Sequence, residues 1–267
     1  MTAPTNSADD ARPFAFFGLV FVLTVPFWLL GAASGQELLP KLPVSALAVV
    51  CPLLAAMILE LRRGGAGAAR ALLMRSFDFA RIASPRWFAP IVLLMPAIMV
   101  ASYLMQWAIG QPLPPFEFSV SRALMLCTMF FASGLAEELG WSGYAIDPLQ
   151  TRYGALGGAL IVGIVWAAWH LVPLLQVARP LDWIAAWALG TVALRVLTVW
   201  IYNNTGRSVF AATIFHMMGN VSWQMFPTAG SAYDARVTGP IEAMVAVIVV
   251  AVWGARTLTR TRRSTSA

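Results

Sequence analysis

The chain has 267 residues, 59% of them hydrophobic and only 11% charged, with a mean hydropathy of +0.73. A soluble domain carries about 25% charged residues, so this composition excludes an ordinary soluble globular protein and implies an integral membrane protein. The net charge of +6 is almost entirely arginine. In a membrane protein such charge speaks to topology and anionic lipid, and no aromatic-interleaved basic patch points to a nucleic-acid partner.

In chain order, residues 1–13, "MTAPTNSADDARP", form a polar tail without the basic n-region of a cleaved signal peptide. The first apolar run therefore reads as a retained span. A spanning helix needs about 20 mostly apolar residues, and eight such runs follow: 14–33, 42–61, 88–109, 122–141, 157–175, 183–203, 207–226 and 240–257. The seventh is the weakest, because the polar "HMMGN" interrupts it. The fold expected is an all-α polytopic membrane bundle, a single transmembrane domain over 14–257 followed by a basic tail, 258–267. Cys51 and Cys127 each lie inside an apolar run and read as small buried hydrophobes, not as a disulfide or metal motif. The longest loop, 62–87, is basic and reads as a partly amphipathic segment on the membrane surface. No internal repeat supports a transporter of the inverted-repeat kind.

With eight spans, thirteen of the eighteen basic residues fall on the side that holds both chain ends, four on the other side, and Arg195 within a span. That bias places both ends in the cytoplasm. Short loops and the absence of targeting signals point to a prokaryotic plasma membrane.

The spans carry a small set of polar residues where polar groups are costly. The fourth ends in Glu137 and Glu138, the fifth holds His170 in "WAAWH", the sixth Arg195, and the seventh His216 and Asn220. Both histidines of the protein are thus intramembrane. Each residue alone has a plain structural reading: charges closing a helix, a packing histidine, an amide bonding a neighbouring helix, an arginine paired with a carboxylate or carbonyl. Together they suggest chemistry. His216 and Asn220 are spaced i, i+4 and share a helix face. Two imidazoles and a carboxylate (Glu137, His170, His216) make the donor set of a catalytic zinc site. The same groups can orient and deprotonate a water without metal, in surroundings that raise a carboxylate toward a useful basicity. An Asn side chain can donate to the oxyanion of a tetrahedral intermediate.

The stretches "EELGWSGY", "WAAWH" and "HMMGN", in that order over residues 137–220, resemble the three motifs of the CPBP family, the CAAX-protease and bacteriocin-processing group of intramembrane endopeptidases: EExxxR, then FxxxH or WxxxH, then HxxxN or HxxxD. "WIYNNTGRSV" before the last motif is similar too, and the protease-like core spans about 122–226. The resemblance implies an endopeptidase acting on a peptide or membrane-protein substrate near the cytoplasmic face. Glu137 would activate water with Glu138 in support, His170 and His216 would hold the water or a metal ion, and Asn220 would steady the oxyanion. Trp166 opens the second motif and is a supporting candidate. Zinc is the candidate cofactor; the family is described both as zinc-dependent and as glutamate-type. Ser142 stands where the family has the arginine of its first motif. That departure keeps a second reading in play, a catalytically impaired membrane scaffold or immunity-type protein. It also suggests that Arg195 replaces the missing cation by reaching Glu138. A third reading is a bis-histidine haem protein. No oligomeric state is assigned. The spans as drawn put His170 deeper than Glu137, so the two meet only if the fifth span starts later or tilts.

Overall fold

The computed structural model describes residues 12–260. Most of the N-terminal tail and the arginines at 262 and 263 lie outside the described residues. The architecture is a helical bundle in which every expected span has a helix. α1 is Pro13–Ser34; α2, Cys51–Met74, is preceded by a 3-10 turn over Val44–Val50; α3 is Phe88–Ala108. α4 is Val120–Gly140 and α5 Ile146–Trp169, joined through a π-helical turn, Trp141–Ala145. A short α6, Leu171–Gln176, precedes α7, Leu181–Asn204, α8, Val209–Met225, and α9, Ala235–Trp253.

By length and composition, six continuous helical stretches among the described residues could cross a membrane. The difference from eight has two causes. The fourth and fifth spans belong to one continuous run, Val120–Gln176, and α8 has only 17 residues. The polar "HMMGN" does not break α8. One non-helical feature departs from the all-α expectation: β1, Glu37–Leu39, pairs antiparallel with β2, Leu42–Pro43, in a small hairpin after α1.

The continuous run resolves the mismatch of depths. Neither Gly143 nor Pro148 ends the rod, which passes through the π turn and continues to Gly154, whose φ of 73° breaks it. At +73° a side chain would be strained, and glycine is suited to the reversal. Glu137 lies 17 residues before Gly154 and His170 lies 16 after it. At 1.5 Å per residue both sit about 25 Å from the turn, at one level.

α7 is the centre of the bundle, with 61% of its apolar window buried against 28–39% for the other stretches. It packs between α5 and α9, while α4 lies against α2 and α8. Small residues set these spacings, as in membrane helices generally. A Cβ at Gly140 would come within 2.7 Å of the Pro52 carbonyl oxygen, and one at Gly163 within 3.1 Å of the Val192 Cα.

The basic 62–87 segment fastens the arginine-rich end. Ser208 caps α8 by accepting from Ala211 N at 3.0 Å. The Asp78 carboxylate accepts from Val209 N at 3.1 Å, Phe210 N at 3.0 Å and Ser208 Oγ at 2.8 Å. Such N-terminal caps satisfy orphan N–H groups and complement the helix dipole. Arg75 donates to the carbonyls of Gly143 and Arg207 and to Tyr202 Oη, tying the π turn to α7 and to the start of α8.

Candidate active site

Successive residues of a helix point about 100° apart, and the two glutamates of α4 consequently meet different neighbours. Glu138 is fully buried and turns toward α7 and α8. Arg195 grips it bidentately, Nη1 to Oε2 at 2.8 Å and Nη2 to Oε1 at 2.9 Å. His216 Nδ1 lies 3.0 Å from Oε1, and Ser142 Oγ donates to Oε2 from one turn along. The Arg195–Glu138 pair is the one expected from the sequence. Arg195 Nη1 also lies 3.5 Å from Ser142 Oγ, so the cation from α7 occupies the neighbourhood of the missing motif arginine.

Glu137 faces the other way, toward α5 and a cavity. Its Oε2 accepts from Trp166 Nε1 at 2.8 Å and from Trp141 Nε1 at 3.3 Å, while Oε1 has no hydrogen-bond partner among the described residues. Trp166 is the hub of the site. Its indole N–H reaches Glu137, the Arg195 guanidinium lies 4.4 Å above its ring, and both imidazoles meet it edgewise, His216 at 5.1 Å and His170 at 5.6 Å.

The tautomers follow from the partners. His170 Nδ1 is 2.8 Å from the Trp166 carbonyl oxygen, which only accepts, so Nδ1 carries the proton and Nε2 is an acceptor. His216 Nδ1 meets a carboxylate already neutralised by Arg195, and the same logic leaves its Nε2 as an acceptor.

Glu137, Trp166, His170, His216 and Asn220 all line one cavity of about 280 Å³. Asn220 is partly buried and makes no hydrogen bond to a described residue, so its amide is free for a ligand. The rest of the wall is largely apolar, including Met95, Met99, Phe130 and Trp187. The cavity extends from Glu137 away from the arginine-rich end. Its far rim holds Leu38 and Lys41 of the hairpin, Arg179 and Tyr233, from three of the four connections at the opposite end of the bundle. Toward the arginine-rich end the Arg75–Tyr202–Asp147 network stands instead, with Tyr202 Oη donating to Asp147 Oδ2 at 3.0 Å.

The expectation of a bound metal can be set against this geometry. Among the described residues no three His, Cys, Asp or Glu side chains come together as a metal-ligand group, and this includes the set Glu137, His170 and His216. The indole donors on Oε2 prepare Glu137 as a hydrogen-bonded carboxylate.

Residues 119–222 match the family described as "Type II CAAX prenyl endopeptidase Rce1-like". Over 240 residues the chain is 27% identical to a protein named "CAAX prenyl protease 2" from Methanococcus maripaludis, covering 82% of this chain and 86% of that one. The chain is thus similar to the CPBP, or CAAX-protease, family. The similarity supports peptidase activity, and the matched segment runs from the cap of α4 to the end of the third motif on α8, the part that builds the cavity floor.

The motifs pointed to these residues; two contributors lay outside that reading. Trp141 sits one turn beyond Glu137 inside the first motif, where i, i+4 spacing could have flagged it. Glu242 of α9 also lines the cavity. An acid within "GPIEAMVAVIVV" is itself an intramembrane ionisable group.

Proposed function

We propose that the protein is an intramembrane endopeptidase in which Glu137 is the general base. The observation that carries this reading is the contrast between two adjacent carboxylates. Glu138 is saturated by Arg195, His216 and Ser142, whereas Glu137 lines the cavity with one oxygen held by two indoles and the other free. A water placed against Glu137 Oε1 donates one hydrogen to it and the other to a histidine Nε2, which directs its lone pair at the scissile carbonyl. Glu137 takes the proton as the new C–O bond forms. The Asn220 amide donates to the oxyanion. Collapse breaks the C–N bond, and Glu137 returns the proton to the leaving nitrogen. No step requires a metal. Glu138, charge-paired with Arg195, orients His216 and keeps its Nδ1 protonated, in the manner of the acid that orients a triad histidine.

The apolar wall suits a hydrophobic peptide segment or the tail of a membrane protein. The CAAX-type specificity in the relative's name is one member of that class. With both chain ends in the cytoplasm, the catalytic layer lies close to that face: His216 is seven residues, about 10 Å, inside the Asp78-capped start of α8. Substrate nevertheless reaches it from the opposite side, through the rim of Leu38, Lys41 and Tyr233. The scaffold reading loses its motive, since Arg195 supplies the cation that Ser142 lacks.

Comparison of membrane and secreted peptides between wild-type and Glu137→Gln cells tests the proposal. New C-termini present in the wild type and absent in the variant are expected, at undiminished protein level. Identical peptide inventories would overturn it. Cleavage by purified protein should also survive exhaustive chelation.

A further inference from the structure

Glu242 has no part in the chemistry above, yet it is the one further acid in the cavity wall. It is 6% exposed and has no hydrogen-bond or ion-pair partner among the described residues. An uncompensated acid at such a depth costs about 2.5–3.5 kcal/mol on insertion scales, and buried charges are normally paired. The fold makes room for it. Gly190 of α7 lies under the Glu242 carboxylate, and a Cβ there would overlap its Oε2. Gly239, one turn earlier on α9, lets α9 press against the Ala186 carbonyl. Two glycines thus carry the carboxylate over α7 to the cavity. Gly190 and Thr191 line that cavity, and one turn back along α7 Trp187 packs on His170 at a ring distance of 5.2 Å. Glu242 is seven residues into α9, about 10 Å from its rim end, and so stands between the rim and the catalytic floor.

A carboxyl group in an apolar wall, unpaired within the protein and beside the catalytic histidine's aromatic neighbour, is stable as a carboxylate only when a cation from outside completes it. Resting on the endopeptidase reading, we propose that Glu242 is a specificity-determining residue that accepts a basic group of the substrate, a lysine or arginine side chain or a free amino terminus, within the cavity. Desolvated there, the pair gains far more than it would in water, and a neutral side chain at the same place would leave the carboxyl group without that ion pair.

The test uses the full chain in lipid nanodiscs and a library of short lipid-anchored peptides. Each position carries lysine in one member and its uncharged counterpart norleucine in the other, with N-acetylated copies separating side-chain from terminal amines. In the wild type at least one lysine/norleucine or amine/acetyl pair should differ by about tenfold or more in kcat/KM, chiefly through KM. Glu242→Gln should bring that ratio near one, Glu242→Asp should fall between, and Glu242→Lys should turn the preference toward glutamate. A parallel arm measures photo-crosslinking of the same pairs to Glu137→Gln protein, which reports occupancy without turnover. A preference in crosslinking that vanishes with Glu242→Gln supports the subsite even where no Glu137-dependent cleavage is found, a result that would sink the endopeptidase reading alone. Glu137-dependent cleavage with no charge preference, or with one untouched by Glu242→Gln, overturns the subsite and leaves the endopeptidase reading standing.

Discussion

Arg195 is 1% exposed, and its charge is tolerable only because Glu138 and the Trp166 face receive it. Removing one partner of a buried pair strands the other, typically at about 3–5 kcal/mol. Arg195→Leu should therefore lower folded yield and activity together, and Ser142→Arg added to it should restore part of the activity, because position 142 already touches Glu138 from one turn away. Yield and turnover of the single and double variants check this; a double variant no better than Arg195→Leu would contradict it. At this scale the sequence was informative wherever polar residues interrupt apolar runs, since each such residue needs a reason. It could not show which glutamate is free. That division depends on Trp166 and Trp141 as donors and on Arg195 arriving from a helix 57 residues away in sequence. Glu242 went unread because no motif framed it.

The placement of His216 and Asn220 depends on where α8 begins, and three bonds from Ser208 and two backbone N–H groups to Asp78 fix that start. Asp78→Ala should cost about 0.5–2 kcal/mol, the usual range for a lost cap, seen as a lowered thermal midpoint in detergent with the site residues unchanged. A midpoint equal to that of the wild type would show that the segment does not hold α8. Element ends were the least legible feature. The fourth span was closed after about 20 residues because a bilayer requires no more, but the helix, widened by a π turn of the kind often found at functional sites, continues to Gly154. That extension brings Glu137 and His170 level. The second span opens as a hairpin and a 3-10 turn, a form that apolar periodicity does not distinguish from α-helix.

Over the whole molecule, we propose from arginine bias and helix order that one end of the bundle is cytoplasmic and that the cavity faces the other. Single cysteines at Leu38 and Lys41, placed in a background lacking Cys51 and Cys127, should react with an impermeant maleimide from outside intact cells, and cysteines at Arg70 and Arg152 should not. Labelling in the reverse pattern would contradict the orientation. The general plan, a polytopic bundle with a few polar residues inside its spans, was readable from composition and motif order; the common level of Glu137 and His170 was not. The cavity's direction was not, because it depends on which connections crowd the two ends. The most direct test of the central claim is the turnover of a substrate peptide, identified from the cell comparison, by purified wild-type and Glu137→Gln protein in nanodiscs. A loss of kcat of about 10²–10⁴, the usual contribution of a positioned base, with little change in peptide binding, is the predicted result. Turnover by Glu137→Gln within a few fold of the wild type would contradict the account.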